Sequence, residues 1–131
     1  MISLTKRRDI FMMEHPARKT LADKEMFDDI VKAILSVVGD DAVKIILYGS
    51  VARGDNTWES DVDIAMLLNE PLDHNTDRLL TKAVVKVDLK YDTVVSVIDI
   101  DADHFMKCRN TLPFYANIEK EGIILWTNEA A

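Results

Sequence analysis

A chain of 131 residues is long enough to bury one real hydrophobic core and too short for two, and 48% hydrophobic with 30% charged content is the balance of an ordinary globular protein. The net charge of -7 argues against direct nucleic-acid binding, which needs clustered Lys and Arg to neutralise phosphates; divalent cations or a basic partner suit it better. No apolar run approaches the roughly 20 residues of a membrane helix, no leader peptide is recognisable, and a single cysteine, Cys108, excludes an internal disulfide and a cysteine zinc cluster, so a cytoplasmic protein with no membrane partner is expected.

Residues 1–20 carry five basic side chains (Lys6, Arg7, Arg8, Arg18, Lys19) against two acidic ones (Asp9, Glu14). Interrupted by Pro16, the segment reads as an arm outside the main core, either a solvated tail or a docking element. The domain proper is expected over residues 21–131. From position 23 to 38 the apolar residues Met26, Phe27, Ile30, Val31, Ile34, Val37 and Val38 form a helical stripe, which Gly39 ends. A short β-branched run over residues 43–48 predicts a buried strand, punctuated by Gly49.

A second strand is expected from about Asp61 to Leu68. After Pro71 a helix over residues 76–90 presents Leu80, Val84 and Val87 on one stripe, and residues 93–100 read as a third strand. Pro113 then opens a short helix that stops at Gly122, before a small terminal strand. This order predicts a single α/β (α+β) domain with a mixed sheet flanked by helices.

Chemistry concentrates between the first two strands, in "LYGSVARGDNTWESDVDIAMLL". A strand places alternate side chains on one face, so Asp61 and Asp63 point the same way while Val62 and Ile64 point into the core. Adjacent carboxylates repel, and oxygen ligands of this kind suit magnesium. Gly49 lets the backbone come close to a ligand, a turn into a short helix aims amide groups at a phosphate, Ser50 adds a hydroxyl, and Arg53 adds a charge for phosphate oxygens. The stretch lacks Gly-Lys-Ser/Thr, so ordinary P-loop chemistry is disfavoured. A phosphate cradle facing a dicarboxylate implies a nucleoside triphosphate bound through magnesium.

The window "GSVARGDNTWESDVDI" resembles the Gly-Ser, ten-residue spacer, Asp-x-Asp signature of the DNA polymerase β-type nucleotidyltransferases, at Gly49, Ser50, Ala52, Arg53, Gly54, Ser60, Asp61 and Asp63. Among them the chain is most similar to the minimal nucleotidyltransferases, over roughly residues 25–126 and more weakly beyond the signature. The resemblance implies a polymerase β palm-like core, with Gly49 and Ser50 holding the triphosphate of ATP and Asp61 and Asp63 ligating two magnesium ions. It also implies a third carboxylate on the next core strand.

Asp88, Asp92, Asp99 and Asp101 compete for that place. A helical crossover between the second and third strands implies a parallel pair, which brings Asp92, at the start of the third strand, beside Asp61 and Asp63. Asp99 lies roughly 23 Å farther along an extended strand, and Asp88 is expected to face solvent near the end of the preceding helix. The resemblance further implies transfer of AMP to a hydroxyl, expected to be a tyrosine, of a HEPN-type ribonuclease toxin, with this chain as its antitoxin. Two alternatives remain: a noncatalytic antitoxin that neutralises by binding alone, and an orphan nucleotidyltransferase acting on a small molecule. A neighbouring gene with a HEPN Arg-x4-6-His motif would favour the antitoxin readings over the third. His15, His74 and His104 have no ligand spacing, Phe114 and Tyr115 read as packing residues, and Trp58 either anchors its loop or stacks on a base or partner.

Overall fold

The computed structural model describes residues 23–128; the arm expected over residues 1–20 lies outside them. Helix α1 (Lys24–Val38) buries Met26, Phe27, Ile30, Ile34 and Val38, the i, i+3/i+4 stripe read from the sequence. Gly39, at φ 55°, closes it, because a positive φ costs glycine little. A single 3-10 turn leads to β1 (Ala42–Tyr48), which runs directly into the short helix α2 (Gly49–Arg53). Then come β2 (Val62–Leu68), α3 (His74–Tyr91), β3 (Val95–Asp101), α4 (Ala102–Cys108), α5 (Pro113–Glu121) and β4 (Ile123–Thr127). Asp73 starts α3 by accepting a hydrogen bond from the Thr76 amide at 2.7 Å.

The strands form one mixed sheet in the order β3-β2-β1-β4. β1 is antiparallel to β2 and β4, and the α3 crossover makes β2 and β3 the expected parallel pair. One sheet face packs Ile45, Leu47, Val62, Ile64, Met66 and Val95 against α1 and α3. The other packs Ile46, Ala65, Leu67 and Ile100 beneath Ala102, Phe105 and Ile118 of α4 and α5. Each large aliphatic chain taken fully out of water contributes about 1.5–3 kcal/mol. Stability therefore resides mostly in the α1/α3 face.

Two features depart from the sequence reading. Helix α4 was not anticipated, because its seven residues bury only Ala102 and Phe105, too few to display a period. Its start is set by Asp101, which accepts from the His104 amide at 2.9 Å. Helix α3 also reaches Tyr91, and β3 begins only at Val95. Between them Asp92 adopts a left-handed conformation at φ 51° as the C-cap of α3. Asp88, expected to face solvent, instead fastens the strand: its Oδ1 accepts from the Val95 amide at 2.9 Å and its backbone carbonyl from the Thr93 amide at 3.1 Å.

Candidate active site

The polar end of the sheet follows from strand parity and register. Val62 and Ile64 are wholly buried, so Asp61, just before β2, and Asp63, within it, turn to the opposite face. There Asp61 is exposed and Asp63 half-buried. Asp63 pairs with Tyr48 of β1 on one side and Ser96 of β3 on the other. Two residues along, the same face holds Ile46, Ala65 and Ile98, which lie in or against the core beneath α4 and α5.

Gly49 begins α2 at φ 78°, and a Cβ there would collide with Oδ2 of Asp63. The glycine therefore gives room to the carboxylate itself, a role that sequence reasoning had assigned only to a ligand. Ser50 follows in the first turn of α2, whose N-cap residue, Tyr48, makes no side-chain capping hydrogen bond. The first amides of a helix lack intrahelical acceptors; here the helix starts at Gly49, against the Asp63 carboxylate.

Arg53 is engaged rather than free. Its Nε donates to Asp55 Oδ2 at 3.1 Å, and its Nη1 donates to Glu121 Oε1 of α5 at 3.5 Å. The hydrogen bond with Asp55, first among several causes, raises the Arg53 pKa. Exposed ion pairs contribute little, screened as they are by solvent, so exchanging Asp55 or Glu121 for a phosphate oxygen would cost little. Burial, then the charge of Asp61, pushes the Asp63 carboxyl above its ordinary value, against an opposing pull from Arg53. Burial, then Asp63, likewise raises the Tyr48 phenol.

A divalent cation fits this donor set, because it would relieve both the repulsion and the burial of Asp63 with hard oxygen ligands. Among the described residues no group of three or more His, Cys, Asp and Glu side chains is arranged to hold a metal ion. Asp92 lies ahead of the strand: Val95 stands opposite Val62, and Asp92, three residues earlier, is exposed in its left-handed cap. Asp99 stands opposite Met66, three residues past Asp63 and about 10 Å along the strand. Asp92→Asn and Asp99→Asn should each leave nucleotidyl transfer within about threefold of the parent, a difference of under 1 kcal/mol in barrier. A loss of orders of magnitude in the Asp92 variant would refute this placement.

Sequence reasoning missed Tyr48 and Ser96 as neighbours of Asp63, since only the register joins them. It also missed the link from Arg53 to α5. Phe114, read as a packing residue, meets the Tyr48 ring edge-on at 5.7 Å between centroids and remains 47% exposed. Trp58 is 42% exposed in the loop before Asp61. His104 is hydrogen-bonded through Nδ1 to the Tyr115 hydroxyl at 3.0 Å, His74 opens α3, and His15 lies outside the described residues.

The family model described as Polymerase beta, Nucleotidyltransferase matches residues 31–130. Two relatives from Methanocaldococcus jannaschii carry the name "putative protein adenylyltransferase". One is 33% identical over 104 residues, spanning 79% of this chain and 98% of the relative. The other is 35% identical over 74 residues, spanning 56% of this chain and 75% of the relative. Among solved structures, a toxin-antitoxin with AMP-PNP aligns at a TM-score of 0.56 and 23% identity, covering 79% of this chain and 74% of that one. A tri-AMPylated Shewanella oneidensis HEPN toxin in complex with MNT antitoxin aligns at 0.53 and 20% identity, covering 81% and 73%. At these identities the structural likeness is one of fold alone. No helix among the described residues is long and apolar enough to cross a membrane.

Proposed function

This chain belongs to the polymerase β nucleotidyltransferase family, and we propose that it is a magnesium-dependent protein adenylyltransferase that moves AMP from ATP to a tyrosine hydroxyl of a HEPN-type ribonuclease, acting as that partner's antitoxin. The observation that carries the reading is the contact between the bare start of α2 at Gly49 and the Asp63 carboxylate, with Asp61 on the same face. It supports a reading in which the amides at the start of α2 meet the triphosphate and the adjacent carboxylates meet cations. The name borne by the 33% identical relative, which the alignment covers almost whole, supports a protein as acceptor. The fold shared with a toxin-antitoxin complex whose HEPN toxin is AMPylated supports the choice of partner.

In this reading the acceptor oxygen attacks the α-phosphorus of ATP. The bond from that phosphorus to the oxygen bridging the α- and β-phosphates breaks, pyrophosphate leaves, and the acceptor's proton passes to solvent. Gly49 and Ser50 hold the triphosphate against the start of α2. Arg53 exchanges its surface carboxylates for phosphate oxygens, and Asp61 and Asp63 hold the cations. Two magnesium ions, when bound, supply the positive charge that makes the acceptor oxygen a better nucleophile and steadies the departing pyrophosphate.

Co-purification with the product of the neighbouring gene, incubation with magnesium and each of the four nucleoside triphosphates, and intact-mass measurement test the reading directly. Whole AMP units are expected on the partner with ATP; no mass gain with any nucleotide would refute it. Outside residues 1–20 the chain carries 11 basic against 21 acidic residues (16 less 5, and 23 less 2). Association with a basic partner should therefore slow as salt rises. A stopped-flow on-rate unchanged between low and physiological salt would remove steering from the account.

A further inference from the structure

Asp63 is the centre of a three-strand row, Ser96 on β3, Asp63 on β2 and Tyr48 on β1, all on one face. The next row on that face is Ile98, Ala65 and Ile46, so the polar row is confined to the site. The β1 side of Asp63 is closed by Gly49 and by Tyr48, which is braced on Phe114. The β3 side carries only the small, half-buried Ser96. No hydrogen bond or other polar partner of the Ser96 hydroxyl occurs among the described residues. β3 is an edge strand, so among the described residues no further strand covers the serine from outside.

We propose that Ser96 supplies the third oxygen of the cation site, on the side of Asp63 away from Gly49. The inference rests on the reading of Asp61 and Asp63 as cation ligands. Neighbouring strands lie about 4.8 Å apart, and a magnesium ion bonds oxygens at about 2.0–2.1 Å, so side chains in register on one face can share an ion. A hydroxyl there binds without adding charge. It spares Asp63 a second carboxylate neighbour when no cation is present, and it leaves the cation on that side more weakly held than a carboxylate would. Ser96 acts in this account by positioning the ion, not by accepting the nucleotide.

Manganese titration of the full chain, followed by electron paramagnetic resonance, tests this without reference to transfer. Ser96→Ala should weaken manganese binding about tenfold, the lower end of what removing a supporting partner of a metal site costs, with an unchanged melting temperature. Ser96→Asp should tighten it by a similar factor. Asp63→Asn should abolish it and serves as the control. Loss of binding in Asp63→Asn with parent-like binding in Ser96→Ala would overturn the role of Ser96 while leaving the cation reading intact. Equal binding by all the variants and the parent would overturn the cation reading itself. If Ser96→Asp fails to fold, Ser96→Ala decides the matter alone.

Discussion

Asp63→Asn should lower nucleotidyl transfer by a factor of about a hundred or more and leave the metal-free chain at least as stable as the parent. Both halves come from one geometry. Asp63 is in the sheet, half-buried, beside Asp61 and against the start of α2, so its charge is costly to the empty fold and, on the proposed reading, needed to hold the cations. Its carboxyl is raised from the ordinary 3.8, by burial first and by Asp61 second. A carboxyl raised in the folded state contributes stability that is fully present below its unfolded value and lost as pH rises through its folded value. In chelator, the parent should therefore lose stability relative to Asp63→Asn as pH climbs from 3.8 through the raised value, and the gap should then stay constant. Thermal melts of the two chains across that range, with transfer assays beside them, check the pair of effects. A variant that is folded and transfers nucleotide at the parent rate would dispose of the cation reading.

The parts of the site that were legible in the sequence are those joined by local rules. Asp61 and Asp63 are two residues apart in a β-branched run, so strand parity alone puts them on one face. Gly49 and Ser50 punctuate the end of another such run, and the α3 stripe foretells the parallel crossover. What register creates was invisible. Ser96 reaches Asp63 only because Val62 pairs with Val95, and a serine inside a strand has no periodic signature.

Asp92 shows how sensitive such inferences are to element boundaries. With the helix ending at Tyr91 and the strand delayed to Val95, the intervening residues are spent on a left-handed cap and on the Asp88 bonds that anchor the strand. A carboxylate expected at the head of the strand is thereby left outside it. Arg53 and Glu121, 68 positions apart, meet only because α5 packs beside α2, which no local pattern encodes.

Gly49→Ala is the second large effect expected, and it separates steric from conformational roles of glycine. At φ 78° an alanine carries a backbone penalty of about 1–2 kcal/mol, and its Cβ would enter the space of Asp63 Oδ2 and approach the rest of that carboxylate. Overpacking of this kind adds about 1–3 kcal/mol, unless Asp63 swings away, in which case the pair with Asp61 is broken. Either route removes activity: the first by distorting the start of α2, the second by dispersing the cation ligands. Gly54 supplies the control. It has nearly the same φ, 81°, but an added Cβ would find nothing within 4 Å. Gly54→Ala should therefore show the backbone penalty in urea denaturation and keep transfer within a few-fold of the parent. Gly49→Ala should lose more stability than that and at least about a hundredfold in transfer. Equal transfer rates in the two variants would mean that the closeness of Gly49 to Asp63 has no part in the chemistry, and the account of α2 as the phosphate-facing wall of the site would go with it.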